Sequence, residues 1–361
     1  MKKICFYLTD ASDEGGIQRV ITELSNYFVE DNEVWIVSVF YKNDQDIKSL
    51  PYELKDKVKF KAFINKNETK NKILKKVNTF IAIYSLYLFM KKEKFEIFIA
   101  NGMESVIWSF LPVYFNRIKY ICCDHTSFDR KPLWARLGRS LSRLFADAIV
   151  VLTSTDARAW NNTKVNIIPN PSPYSEKITT CPYNERRQRI IAVGRLVQVK
   201  GFDRLLDIWE KFVKKNPHNP FFLEIVGNGP LKDTLNTRII NAQLKNVTIS
   251  DFTSDISTIY NDSQLILMTS YHEGLAMVLI EAQAFGIPAL AYDVSGPAEV
   301  IVDGQTGYLV NNGDEEQFIS KLSLLLDNES IREDMSDKCS DYLNRFKIEM
   351  IAERWKRLFE A

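Results

Sequence analysis

At 361 residues the chain is about two domains long, since a domain usually takes roughly 100–200 residues. Hydrophobic residues make up 45% and charged residues 26%, with 14 glycines and 12 prolines, which is ordinary globular composition and excludes disordered, collagen-like and coiled-coil chains. Lys and Arg number 47 against 46 Asp and Glu, a net charge of +1, so nothing global favours wrapping around nucleic acid and any basic surface must be local. Cys5, Cys122, Cys123, Cys181 and Cys339 show neither metal spacing nor a disulfide framework, which fits a reducing compartment. The N-terminal MKKICFYLTDASDEGG has too short an apolar run for a signal peptide. The longest apolar stretch, 77–90, contains Asn78, Thr79 and Ser85 and falls short of the roughly 20 residues of a spanning helix. The expectation is a cytoplasmic protein, soluble or peripheral.

Short β-branched and aromatic runs alternate with longer amphipathic segments, the βαβ rhythm of parallel sheets covered by helices. In the first half, strands are predicted at 4–8, 34–40, 97–100, 120–123 and 148–152. Residues 166–184, NIIPNPSPYSEKITTCPYN, hold four prolines and read as a connector. The rhythm resumes with strands at 190–193, 221–226, 247–249, 265–268 and 288–292. The fold class is therefore α/β, with two Rossmann-like doubly wound domains, 1–170 and 171–345. In such a pair, ligands are expected in a cleft at the carboxyl ends of the strands.

Five segments carry candidate chemistry. After the first strand, Gly15 and Gly16 precede an amphipathic helix, where free N–H groups can approach a phosphate or sugar; a bare turn is an equal reading, because the spacing is not that of a dinucleotide site. After the strand at 190–193 come Gly194-Arg195-Leu196 and Lys200-Gly201. The arginine and lysine can meet the two phosphates of a diphosphate, or be two solvated cations. The segment SYHEGLAMVLIEAQAFGIPALAY places Glu273 at a loop and Glu281 inside a helix expected to begin near Gly274, so that Glu281 lies about two turns further along the same face. Glu281 is a charge in apolar company and needs partners, which a ribose diol or a donor sugar would supply. The N–H groups of Gly274, Leu275 and Ala276 would face an anion. His125, at the end of the strand YICCD, is open to a role at the cleft or a structural one beside Asp124. The segment IVGNGP, with Gly227 and Gly229, reads as a nucleotide-facing loop or a turn.

In this order, the Gly15-Gly16 loop, Asp124-His125, the GRL…KG loop at 194–201, IVGNGP and the Glu273 to Glu281 pair resemble the retaining glycosyltransferases of family 4, which have the GT-B fold. The resemblance implies that Arg195 and Lys200 bind the donor's diphosphate, that Glu281 holds its ribose, and that Glu273 contacts the donor sugar near the reacting carbon. It places Phe252 in the nucleobase loop and suggests that the last helix, within 346–361, crosses back to the first domain. Two positions depart from the family pattern: Asp251 and Ala276 stand where glycine is common.

The chemistry so implied is departure of a nucleoside diphosphate from an anomeric carbon, with Arg195, Lys200 and the helix start at Gly274 stabilising the phosphate charge and no metal or other cofactor required. Asp44-Gln45-Asp46 forms a D-x-D in a charged stretch and reads as a solvated loop. The expected partners are a nucleotide-sugar donor, UDP-sugar foremost, and a glycan or lipid-linked acceptor, as in bacterial surface polysaccharide assembly. A sugar-nucleotide epimerase or hydrolase of the same fold, or a homologue that only binds nucleotide or membrane, are the competing readings. Membrane contact is suggested by 70–94, with seven lysines against one glutamate, and by RKPLWARLGRSLSRLF within 130–145, with five cations and no acid; apolar faces turned to the core with a solvated rim of cations are an equal reading.

Overall fold

The computed structural model describes residues 1–12, 15–41, 52–65, 72–128, 132–174, 181–253 and 256–361. The chain divides into two units, Met1–Pro173 with Ile348–Ala361 and Tyr174–Lys347.

In the first unit the order is β1 (Lys3–Asp10), α1 (Gly16–Phe28), β2 (Glu33–Tyr41), β3 (Lys59–Asn65), α2 (Lys72–Glu93), β4 (Ile97–Asn101), α3 (Met103–Asn116), β5 (Lys119–Asp124), α4 (Leu133–Phe145), β6 (Ala148–Val151), α5 (Ser154–Trp160) and β7 (Val165–Ile167). The strands form one sheet in the order β3-β2-β1-β4-β5-β6-β7, every pair parallel. Central strands such as IFIAN are buried along their whole length, because helices cover both faces. Strand order reverses between β1 and β4, so the loops after these two strands flank the position where open α/β sheets bind ligands.

The second unit runs β8 (Arg189–Val193), α6 (Phe202–Lys215), β9 (Phe222–Val226), α7 (Lys232–Asn241), β10 (Val247–Ser250), α8 (Ser257–Asn261), β11 (Leu265–Met268), α9 (Met277–Ala284), β12 (Ala289–Asp293), α10 (Ser295–Val300), β13 (Gly307–Asn311), α11 (Glu315–Asp327) and α12 (Glu329–Leu343). Its parallel sheet is ordered β10-β9-β8-β11-β12-β13, with the reversal between β8 and β11. The final helix, α13 (Ile348–Glu360), belongs to the first unit and packs on α1, with the Phe28 and Phe359 rings 5.2 Å apart.

All ten predicted strands are present with ends shifted by up to two residues; most are longer, while Leu152, Phe221 and Pro288 fall outside β6, β9 and β12. Three more, β3, β7 and β13, are sheet-edge or very short strands without a continuous apolar run: KFKAFIN alternates with lysines, VNI has three residues, and GYLVN opens on glycine. Of the five cations counted in 130–145, Arg139 does not face outward. It is buried and its Nε donates to Asp124 Oδ2 at 2.7 Å. Lys70, Arg130 and Lys131 lie outside the described residues.

Candidate active site

In the second unit, the reversal of strand order sets the loops after β8 and β11 side by side. Two glycine contacts bring the surrounding backbone together. A Cβ on Gly227 would stand 2.0 Å from the Gly194 carbonyl oxygen and one on Gly229 2.4 Å from that of Leu196, so IVGNGP lies flat against Gly194-Arg195-Leu196, and Leu196 N–H donates to Asn228 O at 2.9 Å. Gly201 has φ +64°, and a Cβ there would come within 2.1 Å of the Thr269 carbonyl oxygen. The Thr269 hydroxyl in turn donates to Gly201 O at 2.8 Å.

This approach places the two predicted charges together. Lys200 Nζ donates to Glu273 Oε1 at 2.7 Å, and the Ser270 hydroxyl donates to the same oxygen at 2.6 Å. Glu273 is buried and Lys200 partly exposed, so the lysine is the member of the pair open to solvent. Arg195, on the same loop as Lys200, is exposed. Beneath the Glu273 loop, Arg204 of α6 donates to the carbonyls of Thr269 and Ser270, and its guanidinium lies between the Tyr271 and Tyr292 rings at 4.2 Å from each centroid. Arg204 therefore holds the segment from which Glu273 projects.

The helix after Glu273 starts later than expected. α9 begins at Met277, with Ala276 as its N-cap; Gly274, Leu275 and Ala276 belong to the preceding loop, where their N–H groups have no backbone partner. Glu273 and Glu281 thus do not share a helix face: the first is on the loop, the second within the helix. Ala276 has φ −79°, a conformation open to any residue, so nothing in the backbone calls for glycine there. Glu281 is buried, as its apolar company implied, and its Oε2 accepts the hydroxyl of the fully buried Tyr260 at 2.9 Å. The protein therefore supplies one of the partners that the sequence reading assigned to a ligand. Phe252 follows β10 and is exposed, while Asp251 is paired with Lys232 at 2.6 Å and has no positive φ that would favour glycine.

In the first unit, Gly15 is the N-cap of α1 and Gly16 its first residue. No side chain among the described residues caps this helix, and a Cβ on Gly16 would meet nothing within 4 Å. His125 follows β5. Its Nε2 lies 3.1 Å from Asn101 Oδ1. Asn101 spends its amide N–H groups on the carbonyls of Tyr7 and Ile99, which turns Oδ1 toward the ring and assigns the proton to His125 Nε2. Nδ1 is buried and has no partner among the described residues. Burial pushes the imidazole pKa down to about 4, against the weaker upward pull of Asp124. Asp124 itself is structural: it accepts from Arg139, Trp160 and Thr126.

Among the described residues, no group of three or more His, Cys, Asp or Glu side chains is arranged to hold a metal ion, and no helix is long and apolar enough to cross a membrane. Asp44, Gln45 and Asp46 lie outside the described residues.

Residues 14–172 match the family model described as Glycosyltransferase Family 4, and residues 178–341 that of Glycosyl transferases group 1. The amylovoran biosynthesis glycosyltransferase AmsD of Erwinia amylovora is 30% identical over 373 residues, covering 98% of this chain and 99% of its own. The chain belongs to glycosyltransferase family 4. Its fold is GT-B: HepE of Anabaena, solved in complex with UDP and glucose, superposes with a TM-score of 0.81 at 15% identity over 100% of both chains. A further relative from Campylobacter jejuni, 24% identical over 99% of this chain and 98% of its own, is named as an alpha-1,4-N-acetyl-D-galactosaminyltransferase for a GalNAc-GalNAc-diNAcBac-PP-undecaprenol substrate. In this family 4 chain, the Glycosyl transferases group 1 match contains Arg195, Lys200, Phe252, Glu273 and Glu281, and the other contains Gly15, Gly16 and His125.

Sequence reasoning did not find Arg204, Tyr260, Ser270 or Asn101 as supports of this glycosyltransferase's site. Ser270 stood three residues before Glu273 and could have been found by that spacing. The other three act from elements distant in sequence, where no local pattern announces them.

Proposed function

We propose that the protein transfers a hexose, with retention of anomeric configuration, from a UDP-sugar to a lipid-linked glycan acceptor in assembly of a bacterial surface polysaccharide. The observation that carries this reading is the meeting of Lys200, Glu273 and Ser270 at the strand-order reversal of the second unit, with Arg195 on the same loop. Lys200 and Arg195 bind the diphosphate, and the unpartnered N–H groups of Gly274, Leu275 and Ala276 add donors for its charge. Glu281, held by Tyr260, receives the ribose hydroxyls, and Phe252 stacks on the base. Gly15 and Gly16 open the α1 N-terminus to the donor, and His125 acts as a neutral imidazole in the transfer.

In the transfer, the bond between the anomeric carbon and the phosphate oxygen breaks and the acceptor oxygen bonds to that carbon. The acceptor's proton passes to the departing phosphate. Glu273 Oε1 is engaged by Lys200 and Ser270, which favours a positioning and electrostatic role over a covalent one, and the lysine and arginine charges make a divalent ion unnecessary. The named substrate of the Campylobacter relative and the UDP in the HepE crystal support the choice of acceptor class and base. A lipid-linked acceptor places the work at the cytoplasmic face of the cell membrane, with the enzyme peripheral to it.

The test is UDP, GDP or ADP release from a panel of nucleotide-sugars in EDTA, with and without a lipid-linked acceptor fraction. Acceptor-dependent UDP release that survives EDTA, lost in Lys200→Ala and Glu281→Gln, is expected. Full-rate turnover of donor alone would instead make the protein an epimerase or hydrolase, and abolition by EDTA would overturn the metal-independent route.

A further inference from the structure

A helix covering a sheet ordinarily turns its large apolar side chains inward and its polar ones to water. In the first unit α4 does so only in part: Leu141 and Phe145 are half-buried against the core, but other large apolar side chains face outward. Ala135, Gly138, Arg139 and Ser142 are its buried positions, while Leu133, Trp134, Leu137 and Leu144 are exposed, Leu133 by 81% and Leu144 by 73%. The small inward residues let α4 lie close on α3: a Cβ on Gly138 would stand 2.4 Å from the Met103 carbonyl oxygen. The one inward charge, Arg139, is neutralised by Asp124. Packing of the unit therefore explains the inner face of α4 and leaves the outer one unexplained.

The neighbouring helices share the feature. α3 packs between α2 and α4, carries Glu104 as its only charged residue, and exposes Tyr114 and Phe115; α2 exposes Phe80 and Tyr84. Eleven of the sixteen exposed large apolar side chains among the described residues lie on these three helices. Single exposed apolar residues are ordinary, but a set gathered on adjacent elements marks an interaction surface. The exposed cations around it, Lys91, Lys92 and Lys94 at the end of α2, Arg117 after α3, and Arg136 and Arg143 on α4, outnumber the exposed acids Glu96, Glu104 and Asp147 two to one. Between α3 and α4 opens a cavity of about 630 Å³, walled by Phe110, Val113, Leu144 and Phe145, in which Arg117 and Lys119 lie near Asp147, itself engaged by the Tyr120 N–H.

We propose that the α2–α3–α4 face seats the protein on an anionic phospholipid bilayer. Its aromatic and leucine side chains enter the boundary between headgroups and acyl chains, and its lysines and arginines, Arg117 and Lys119 of the cavity wall among them, meet lipid phosphates. Charge complementarity favours this occupant over a second copy of the chain: a two-fold contact would set two faces of the same net positive charge against one another, whereas an anionic bilayer neutralises that excess. The inference deepens the lipid-linked acceptor reading and rests on it for its purpose, but its geometry stands on the first unit alone.

The experiment is co-sedimentation of the full chain with phosphatidylcholine vesicles and with vesicles of phosphatidylcholine and phosphatidylglycerol. Two variants are compared, Lys91→Glu with Lys92→Glu, and Leu133→Ser with Leu137→Ser and Leu144→Ser. Wild type is expected to bind the anionic vesicles in a salt-sensitive way, and each variant to lose binding by roughly tenfold or more while nucleotide binding stays intact. Wild type that ignores both vesicles, or variants that bind as wild type does, would overturn the proposal. So would a wild-type dimer, seen by size-exclusion, that the apolar variant dissociates. Acceptor-dependent nucleotide release is measured separately: vesicle binding without transfer removes the function reading and leaves this face, and transfer without vesicle binding does the opposite.

Discussion

His125 shows how a single side chain can report its surroundings through pH. Its folded pKa of about 4 lies below the roughly 6.5 of an unfolded histidine, so the folded state favours the neutral ring. This contribution to stability is fully present above pH ~6.5. It is lost as the pH falls toward about 4, where the unfolded chain takes up a proton that the folded one does not, and it is constant below. Because the residue as a whole is only half-buried, we expect a loss of about 1–2.5 kcal/mol between pH 7 and pH 4.5, toward the lower end. Denaturant unfolding of the first unit, followed at both pH values in wild type and His125→Gln, checks this: the variant should show a shallower fall, and parallel curves would disprove the assignment. The existence of a histidine at the end of β5 was legible in YICCDH. Its tautomer was not, because that depends on Asn101 of β4, which is held by carbonyls of β1 and β4 themselves.

At the scale of elements, the second unit's site is made by two backbone contacts rather than by helix faces. The pattern of one strand run, a glycine-bearing loop and an amphipathic helix made β8 to α6 readable, and Arg195, Lys200, Glu273 and Glu281 stand out because charged residues interrupt otherwise apolar or small-residue segments. The start of α9 was misplaced by three residues because Gly274-Leu275-Ala276 contains no side chain that caps, and the loop's course is set by Arg204 of α6 and by the approach of Gly201 to Thr269. Edge strands β3 and β13 escaped for a related reason: their pairing is decided by neighbours already in the sheet, not by their own apolar content. The Gly201 contact is directly testable. Gly201→Ala must shift the Thr269 carbonyl and adopt a strained positive φ, so we expect a cost of about 1–3 kcal/mol and separation of Lys200 from Glu273. Thermal unfolding of the second unit together with nucleotide affinity measures both; a variant with unchanged affinity and stability would mean that the contact does not position the pair.

For the whole molecule, the order of the chain and the order of the units differ, since the last helix completes the first unit after the second has been made. The amphipathic run at the C-terminus was visible in sequence, but its partner could be named only by resemblance, because an apolar face specifies burial without specifying against what. The structure names α1. Ile351, Trp355, Leu358 and Phe359 are buried, Phe359 lies against Phe28, and Lys2 Nζ donates to Phe359 O at 2.8 Å. Four large side chains at roughly 2 kcal/mol each amount to about 8 kcal/mol, comparable with the whole stability of a domain of ordinary size. Removal of residues 348–361 is therefore expected to unfold or loosen the first unit while the second, Tyr174–Lys347, keeps its own core. Limited proteolysis with and without UDP gives the readout. In the truncated chain, cleavage should concentrate within residues 1–173 and spare a nucleotide-protected fragment spanning 174–347. Equal protease resistance of the first unit in full-length and truncated chains would show that α1 and the sheet suffice without α13.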